Sequence, residues 1–146
     1  MTIRGYKNSD FEKLVKIYDL AKPDEFSGEN AKFKIIPLKN DDQMLKLFKD
    51  SNLYVYEEKT ILGFAGHKGN YISWLFVHPE HRGLKIGQLL IKHILTKLKG
   101  NVGLNVADSN LAAKKLYISL GFIIEKQFEG KYQDTPIKVN RMEIII

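Results

Sequence analysis

Cysteine is absent from this 146-residue chain. That excludes a disulfide framework, a thiolate nucleophile and any zinc site with sulfur ligands. No apolar run approaches the roughly 18 residues that a membrane span needs. The opening MTIRGYKNSD also lacks the apolar stretch of a secretory signal. The expectation is a cytoplasmic protein. Repeats, low-complexity tracts and linkers are missing too, so residues 1–146 are expected to form one domain. No tract concentrates charge of one sign: the net charge of +6 comes from lysines spread along the chain. Charge this diffuse fits a solvated surface, and neither nucleic acid nor membrane is expected as a partner.

What is present is a regular succession of elements. Thr2–Tyr6 reads as a strand. Asn8 or Ser9 is placed to cap a helix with Phe11, Leu14, Val15, Ile17 and Tyr18 on one face, stopped by Pro23. Asp24–Asn40 has weak periodicity and several polar breaks. The pattern predicts a second helix over Asp41–Asp50, with Met44, Leu45, Leu47 and Phe48 inward. Asn52–Glu58, Thr60–Lys68 and Tyr71–Val77 are rich in β-branched and aromatic residues and read as an antiparallel meander. A helix begins near Ile86 or Gly87, followed by a strand at Val102–Val106 and a helix at Asn110–Leu120 capped by Gly121. Phe122–Phe128 and Ile137–Ile145 close the chain as strands joined by the polar EGKYQDTP. The apolar phase changes between Val139 and Met142, which predicts a bulge in the last strand. The order is β-α-α-β-β-β-α-β-α-β-β, an α/β (α+β) arrangement.

The most informative stretch is HPEHRGLKIGQLLIKHIL, His78–Leu95. Pro79 ends a strand because it has no N–H for the ladder. Ile86, Leu89, Leu90 and Ile94 then recur at helical spacing. The turn between sits at a helix N-terminus, where unpaired N–H groups and the positive dipole end converge. Gly83 and Gly87 permit close approach of a ligand to the backbone, and Arg82 and Lys85 add positive charge. This is an anion cradle suited to phosphate or pyrophosphate. Neither the P-loop string nor the three-glycine dinucleotide fingerprint occurs, so the cradle is of another type.

RGLKIG resembles the cofactor motif Q/R-x-x-G-x-G/A of the GNAT superfamily of acetyl-CoA-dependent N-acetyltransferases. Arg82 and Gly87 match it. Lys85 stands where the motif has its first glycine, a mild departure if that residue has ordinary backbone angles, because its amide can still donate. A second block, NLAAKKLYISLGF, resembles the family pattern N-x-x-A-x-x-x-Y-x-x-x-G-F through Asn110, Ala113, Tyr117, Gly121 and Phe122. The resemblance covers nearly the whole chain, most weakly from Asp24 to Asp50, and is strongest to the small stand-alone bacterial members. It implies a mixed, mostly antiparallel twisted sheet of about seven strands flanked by about four helices.

It also implies a chemistry. Acetyl-CoA would be the cosubstrate, with its pyrophosphate on Arg82, Gly83, Leu84, Lys85, Ile86, Gly87 and Gln88. The strand before this loop splays from its neighbour in the family, so the main chain of Leu75, Phe76 and Val77 would hold the pantetheine and thioester. An N–H near Phe76 or Val77 would serve the oxyanion. Asn110, besides capping its helix, and Asn105 would flank the cofactor arm; Lys114 and Lys115 are read as solvated helix lysines in preference to phosphate contacts. Tyr117 is the implied general acid: a phenol, with an ordinary pKa near 10, can protonate a departing thiolate.

The general base is open. Many family members carry a glutamate on the fourth strand, but YISWLFV holds no carboxylate. The candidates are a water held by Ser73, His67, His78, or no base at all. A metal at His78 and His81 is not expected, for want of a nearby carboxylate or cysteine. Acceptor recognition is expected from Asp24–Asn40 and EGKYQDTP, with Asp24, Glu25, Tyr132 and Asp134 suited to greet a cationic amine. The acceptor would be a small-molecule or peptide amine; the alternative is a CoA-binding regulatory module without turnover. The resemblance also implies a homodimer paired at the C-terminal strands, where the chain ends in the apolar RMEIII.

Overall fold

The computed structural model describes all residues 1–146. Seven strands form one sheet in the order β1-β2-β3-β4-β5-β7-β6. They are β1 (Thr2–Gly5), β2 (Asn52–Glu57), β3 (Ile61–Lys68), β4 (Tyr71–Val77), β5 (Asn101–Ala107), β6 (Ile123–Tyr132) and β7 (Thr135–Ile145). Helices α1 (Phe11–Ala21) and α2 (Asp42–Asp50) pack on one face. Helices α3 (Ile86–Leu95) and α4 (Leu111–Ser119) pack on the other. Every neighbouring pair is antiparallel except β4 and β5. The number, order and kind of elements are those read from the sequence. No helix is long and apolar enough to cross a membrane.

Each face has its own core. On the α1–α2 side Tyr18, Phe48, Phe64, Trp74 and Phe76 interlock at tilted or edge-on angles, with centroids 4.9–6.5 Å apart. Such geometry lets positive ring edges meet negative faces. On the α3–α4 side the filling is aliphatic: Ile86, Leu90, Ile91 and Ile94 seat on Leu62, Val102 and Leu104.

Local details correct three expectations and refine a fourth. Neither Asn8 nor Ser9 caps α1. Asp10 ends a short 3-10 turn instead, accepting the Lys7 N–H at 2.8 Å and both Arg4 guanidinium contacts at 2.9 and 3.0 Å. A carboxylate paired with arginine makes stronger, charge-assisted bonds than the neutral side chains beside it. The α-helix ends at Ala21, just before Pro23 as expected, and the chain continues in a 3-10 turn, Lys22–Phe26, where a missing N–H is harmless. EGKYQDTP is not a loop: β6 and β7 stay paired out to Tyr132 and Thr135. Gln133 and Asp134 make the turn at φ +49° and +62°, both positive as a type I′ hairpin requires. The strand tips are polar because they stand in solvent, which hides the pairing from composition. Finally, β7 runs unbroken against β5 and the extra residue is Glu125 on β6. The phase change in β7 arises because Ile137 is buried on one face while Asn140 and Met142 are buried on the other.

Candidate functional site

Parallel pairing between β4 and β5 is limited to Tyr71 opposite Gly103. A bulge on β4 accounts for the divergence. Against β3, the pair Gly66–Trp74 is followed by His67–Ile72, leaving Ser73 extra. Ser73 Oγ lies 2.9 Å from Ser51 Oγ, and Trp74 Nε1 donates to the same oxygen at 3.2 Å. Both side chains therefore turn toward the end of α2. A bulge increases local twist, and β4 swings away from β5.

The β3–β4 ladder decides which main-chain groups face the gap. His78 N–H donates to the Leu62 carbonyl at 2.8 Å. The alternation of an antiparallel ladder then commits Trp74 and Phe76 to β3 and turns the N–H and C=O of Leu75 and Val77 into the gap. Phe76, expected to contribute its main chain, contributes a buried ring to the α1–α2 core instead. A cleft of about 670 Å³ fills the gap, lined by β4, β5, the Arg82–Gln88 turn, α4, the Asp24–Phe26 segment and the β6–β7 hairpin.

At the end of β4 the chain makes a 3-10 turn, Pro79–His81, and enters α3 through two left-handed residues, Gly83 (φ +80°) and Lys85 (φ +63°, ψ +19°). The condition of ordinary backbone angles at Lys85 is thus not met: it adopts the left-handed conformation that favours glycine. Arg82, Gly83, Lys85, Ile86, Gly87 and Gln88 all line the cleft, whereas the Leu84 side chain is exposed to solvent. A Cβ on Gly87 would meet only Leu116 and Leu75 at ordinary contact distances of 3.4 and 3.6 Å, so the glycine leaves room toward the cleft rather than relieving a clash. Arg82 does not point freely into the turn, because its guanidinium pairs with the Asp24 carboxylate.

The geometry at Lys85 gives a first prediction. A left-handed non-glycine residue costs roughly 1–2 kcal/mol, partly offset by the extra freedom glycine has when unfolded, about 0.5–1 kcal/mol. Lys85→Gly is therefore expected to raise Tm by about 2–4 °C while weakening severalfold the binding of acetyl-CoA, the cosubstrate that the resemblance implies, through loss of the ammonium. Thermal melts and calorimetry on the same preparation check the opposite signs.

Tyr117 of α4 lines the cleft, buried, with its ring edge-on to Phe122 at 5.5 Å. Burial pushes its phenol well above the ordinary range, and the charges of Glu25 and Tyr71 add to the shift. Asn110 also lines the cleft; its Oδ1 caps α4 by accepting the Ala113 N–H at 3.3 Å. Asn105 reaches the cleft from β5. Lys114 is not available to a phosphate: its Nζ is held by Asp108, whose carboxylate lies 2.8 Å away. Lys115 is exposed.

The base candidates separate. His67 is buried outside the cleft, its Nδ1 on the Gly69 carbonyl at 3.0 Å and its Nε2 beside the Tyr54 hydroxyl at 3.5 Å. His78 Nδ1 accepts the Glu80 N–H at 3.1 Å, capping the 3-10 turn. Glu80 does stand near both histidines, with ligand atoms of His78, Glu80 and His81 within 4.8 Å of one another. An imidazole that accepts at Nδ1 carries its proton on Nε2 when neutral, which leaves no lone pair for a metal. Ser73 is turned to Ser51, as described.

On the acceptor side the sequence reading named Asp24, Glu25, Tyr132 and Asp134. Asp24, Glu25 and Tyr132 line the cleft, whereas Asp134 belongs to the hairpin turn. Three residues escaped it. Tyr71 lies next to the divergence of β4 from β5, its phenol pushed up by burial. Arg141 stacks its guanidinium 5.6 Å from the Tyr71 ring, in the space that Gly103 leaves open. Lys22 is buried among aromatic rings. None has a local signature, since each acquires its role from cross-strand or cross-loop neighbours.

Comparison with known proteins agrees with this architecture. The family model described as acetyltransferase (GNAT) domain matches residues 49–124. Peptidyl-lysine N-acetyltransferase YjaB of Salmonella typhimurium is 26% identical over 133 residues, which cover 88% of each chain. The human cysteine-rich protein 2-binding protein is 35% identical over 95 residues, 58% of this chain; the match spans only 12% of that protein's length. The structure of yncA from Salmonella typhimurium, solved with its cofactor acetyl-CoA, superposes with a TM-score of 0.74 at 19% identity, covering 99% of this chain and 93% of that one.

Proposed function

This chain belongs to the GNAT acetyltransferase family, and on that premise we propose that it moves the acetyl group of acetyl-CoA to a primary amine by direct attack in a ternary complex. The observation that carries the reading is the divergence of β4 from β5 beyond Tyr71 and Gly103, with an anion cradle at one end of the gap and Tyr117 on its wall. We take residues 1–146 to act as one catalytic domain.

Acetyl-CoA would supply an activated thioester, whose transfer needs a held donor, a neutral attacking amine that sheds its protons to solvent, a stabilised oxyanion and a protonated leaving group. In this reading the backbone N–H groups of the Arg82–Gly87 turn and the Lys85 ammonium grip the pyrophosphate. The outward main chain of Leu75 and Val77 orients the pantetheine arm, and the Val77 N–H faces the developing oxyanion. Asn110 and Asn105 flank the arm. The Tyr117 phenol, kept protonated by its burial, donates to the departing thiolate. A peptide lysine is one supported acceptor, because the Salmonella relative is named for that activity.

Arg82 must exchange Asp24 for a phosphate, so its net contribution is moderated. Arg82→Ala is expected to raise the acetyl-CoA KM about tenfold and to flatten its salt dependence, with little loss of stability, since exposed pairs contribute about 0–1 kcal/mol. Thiol release from acetyl-CoA over a panel of polyamines, amino acids, aminoglycosides and lysine peptides tests the function itself. The chain has no cysteine to give a background. Release with at least one amine is expected; silence across the panel with acetyl-CoA bound would overturn the reading.

A further inference from the structure

One part of the cleft is not absorbed by the cofactor cradle or Tyr117. Its wall at Asp24–Phe26 and Tyr132 carries an aromatic cluster. Phe26 stacks on Tyr132 at 4.3 Å, and Phe33 meets these rings at 5.4 and 5.1 Å. Beneath them lies Lys22, its Nζ 5.4–5.9 Å from the ring centroids of Tyr18, Phe26, Phe76 and Tyr132. The only carboxylate on this ammonium is Glu25, whose Oε2 is 2.8 Å away. Glu25 Oε1 has no partner in the protein. Glu25 lines the cleft, and its charge is felt by both Tyr71 and Tyr117.

We propose that Glu25 is the acceptor-binding carboxylate, receiving a cationic amine on Oε1, and that Lys22 is a positioning residue that fixes Oε2. The inference rests on the amine-acetylation reading of the same cleft. Four observations converge on Glu25. The fourth strand offers no carboxylate. The Ser73 hydroxyl faces Ser51, and His67 is held by Gly69 away from the cleft. Asp24, the adjacent acid, is paired with Arg82. Each acid in the cleft keeps one oxygen without a partner, but Asp24 is half exposed and tied to the cradle residue Arg82, whereas Glu25 is less exposed and held from behind by the buried Lys22. A lysine sealed among rings is well suited to hold it: the cation gains from the ring faces, and the ion pair is shielded from water. The second oxygen then selects ammonium acceptors over neutral ones. Part of Glu25 remains exposed, with 32% of its side chain accessible, so an acceptor reaches it from solvent.

Steady-state kinetics of Glu25→Gln test this, with a lysine peptide and a polyamine as cationic acceptors and hydroxylamine as an uncharged one. The KM for the cationic acceptors is expected to rise at least tenfold, while the acetyl-CoA KM and the hydroxylamine rate stay within about twofold. The rise of acceptor KM with salt in the wild type is expected to vanish in the variant. Glu25→Asp, which keeps the charge, is expected to recover part of the loss. An unchanged acceptor KM, or equal losses for cationic and uncharged acceptors, overturns the role of Glu25 and leaves amine acetylation standing. A wild type silent toward every amine overturns both.

Discussion

Replacement of Tyr117 by phenylalanine is expected to lower kcat by 10²-fold or more while the acetyl-CoA dissociation constant stays within twofold. One hydroxyl is removed and the ring is kept, so its edge-on contact with Phe122 survives and stability changes little. The catalytic loss follows from leaving-group chemistry. A thiol has an ordinary pKa near 8.5, so a thiolate leaves without a proton only by building charge in a buried site. A positioned acid that relieves this charge typically accelerates transfer 10²–10⁴-fold. Tyr117 suits the task because the cleft penalises its phenolate. Burial is the main cause, and the Glu25 carboxylate and Tyr71 push the same way. The sign gives a second readout: an acid with a raised pKa keeps its active, protonated form to higher pH. The wild-type kcat is therefore expected to show no alkaline decline from this group up to about pH 10, the ordinary phenol value. A Tyr117→Phe enzyme with unaltered kcat would remove Tyr117 from the mechanism.

The Arg82–Gln88 turn and the place of Tyr117 on the cleft wall were legible because each rests on a local pattern. RGLKIG brings glycine, charge and a helix start together in six residues, and Asn110, Tyr117 and Gly121 are spaced along one helix and its cap. Nothing at this range announced the bulge at Ser73. YISWLFV is apolar at nearly every position, so its alternation carries no phase, and the extra residue appears only against β3. The same limitation led Phe76 to be grouped with Leu75 and Val77, since main-chain direction is a matter of ladder register. Glu25 was named for its charge, but Lys22 and the pairing of the two were hidden for another reason. They sit three apart in a weakly periodic segment, and their meaning comes from Phe76 and Tyr132, over fifty and over a hundred residues away. The left-handed backbone at Lys85 was concealed by the residue itself, because lysine rarely adopts it and the sequence offers no glycine to mark the spot.

The bulge gives the last prediction its force. Trp74→Ala is expected to destabilise the fold by about 3–5 kcal/mol in urea unfolding, the range for truncating a fully buried large aromatic. Trp74 is 1% exposed, touches Tyr18, Phe48, Phe64 and Phe76, and ties its indole N–H to Ser51. Loss on this scale is a large share of the roughly 5–15 kcal/mol that holds a domain together. A purely structural tryptophan would do no more than this. Trp74 also belongs to the clamp that turns Ser73 and itself toward α2, and through it β4 parts from β5. Under conditions where the variant remains folded, acetyl-CoA affinity is therefore expected to fall about tenfold as well. Leu14→Ala is the control. Leu14 is equally buried in the same core but sits on α1, away from the bulge. Its truncation is expected to cost about 2–5 kcal/mol with acetyl-CoA affinity unchanged. If both variants bind acetyl-CoA like the wild type, the divergence of the strands does not depend on the Trp74 clamp. If only Trp74→Ala weakens binding, the bulged strand is where folding and cofactor binding meet.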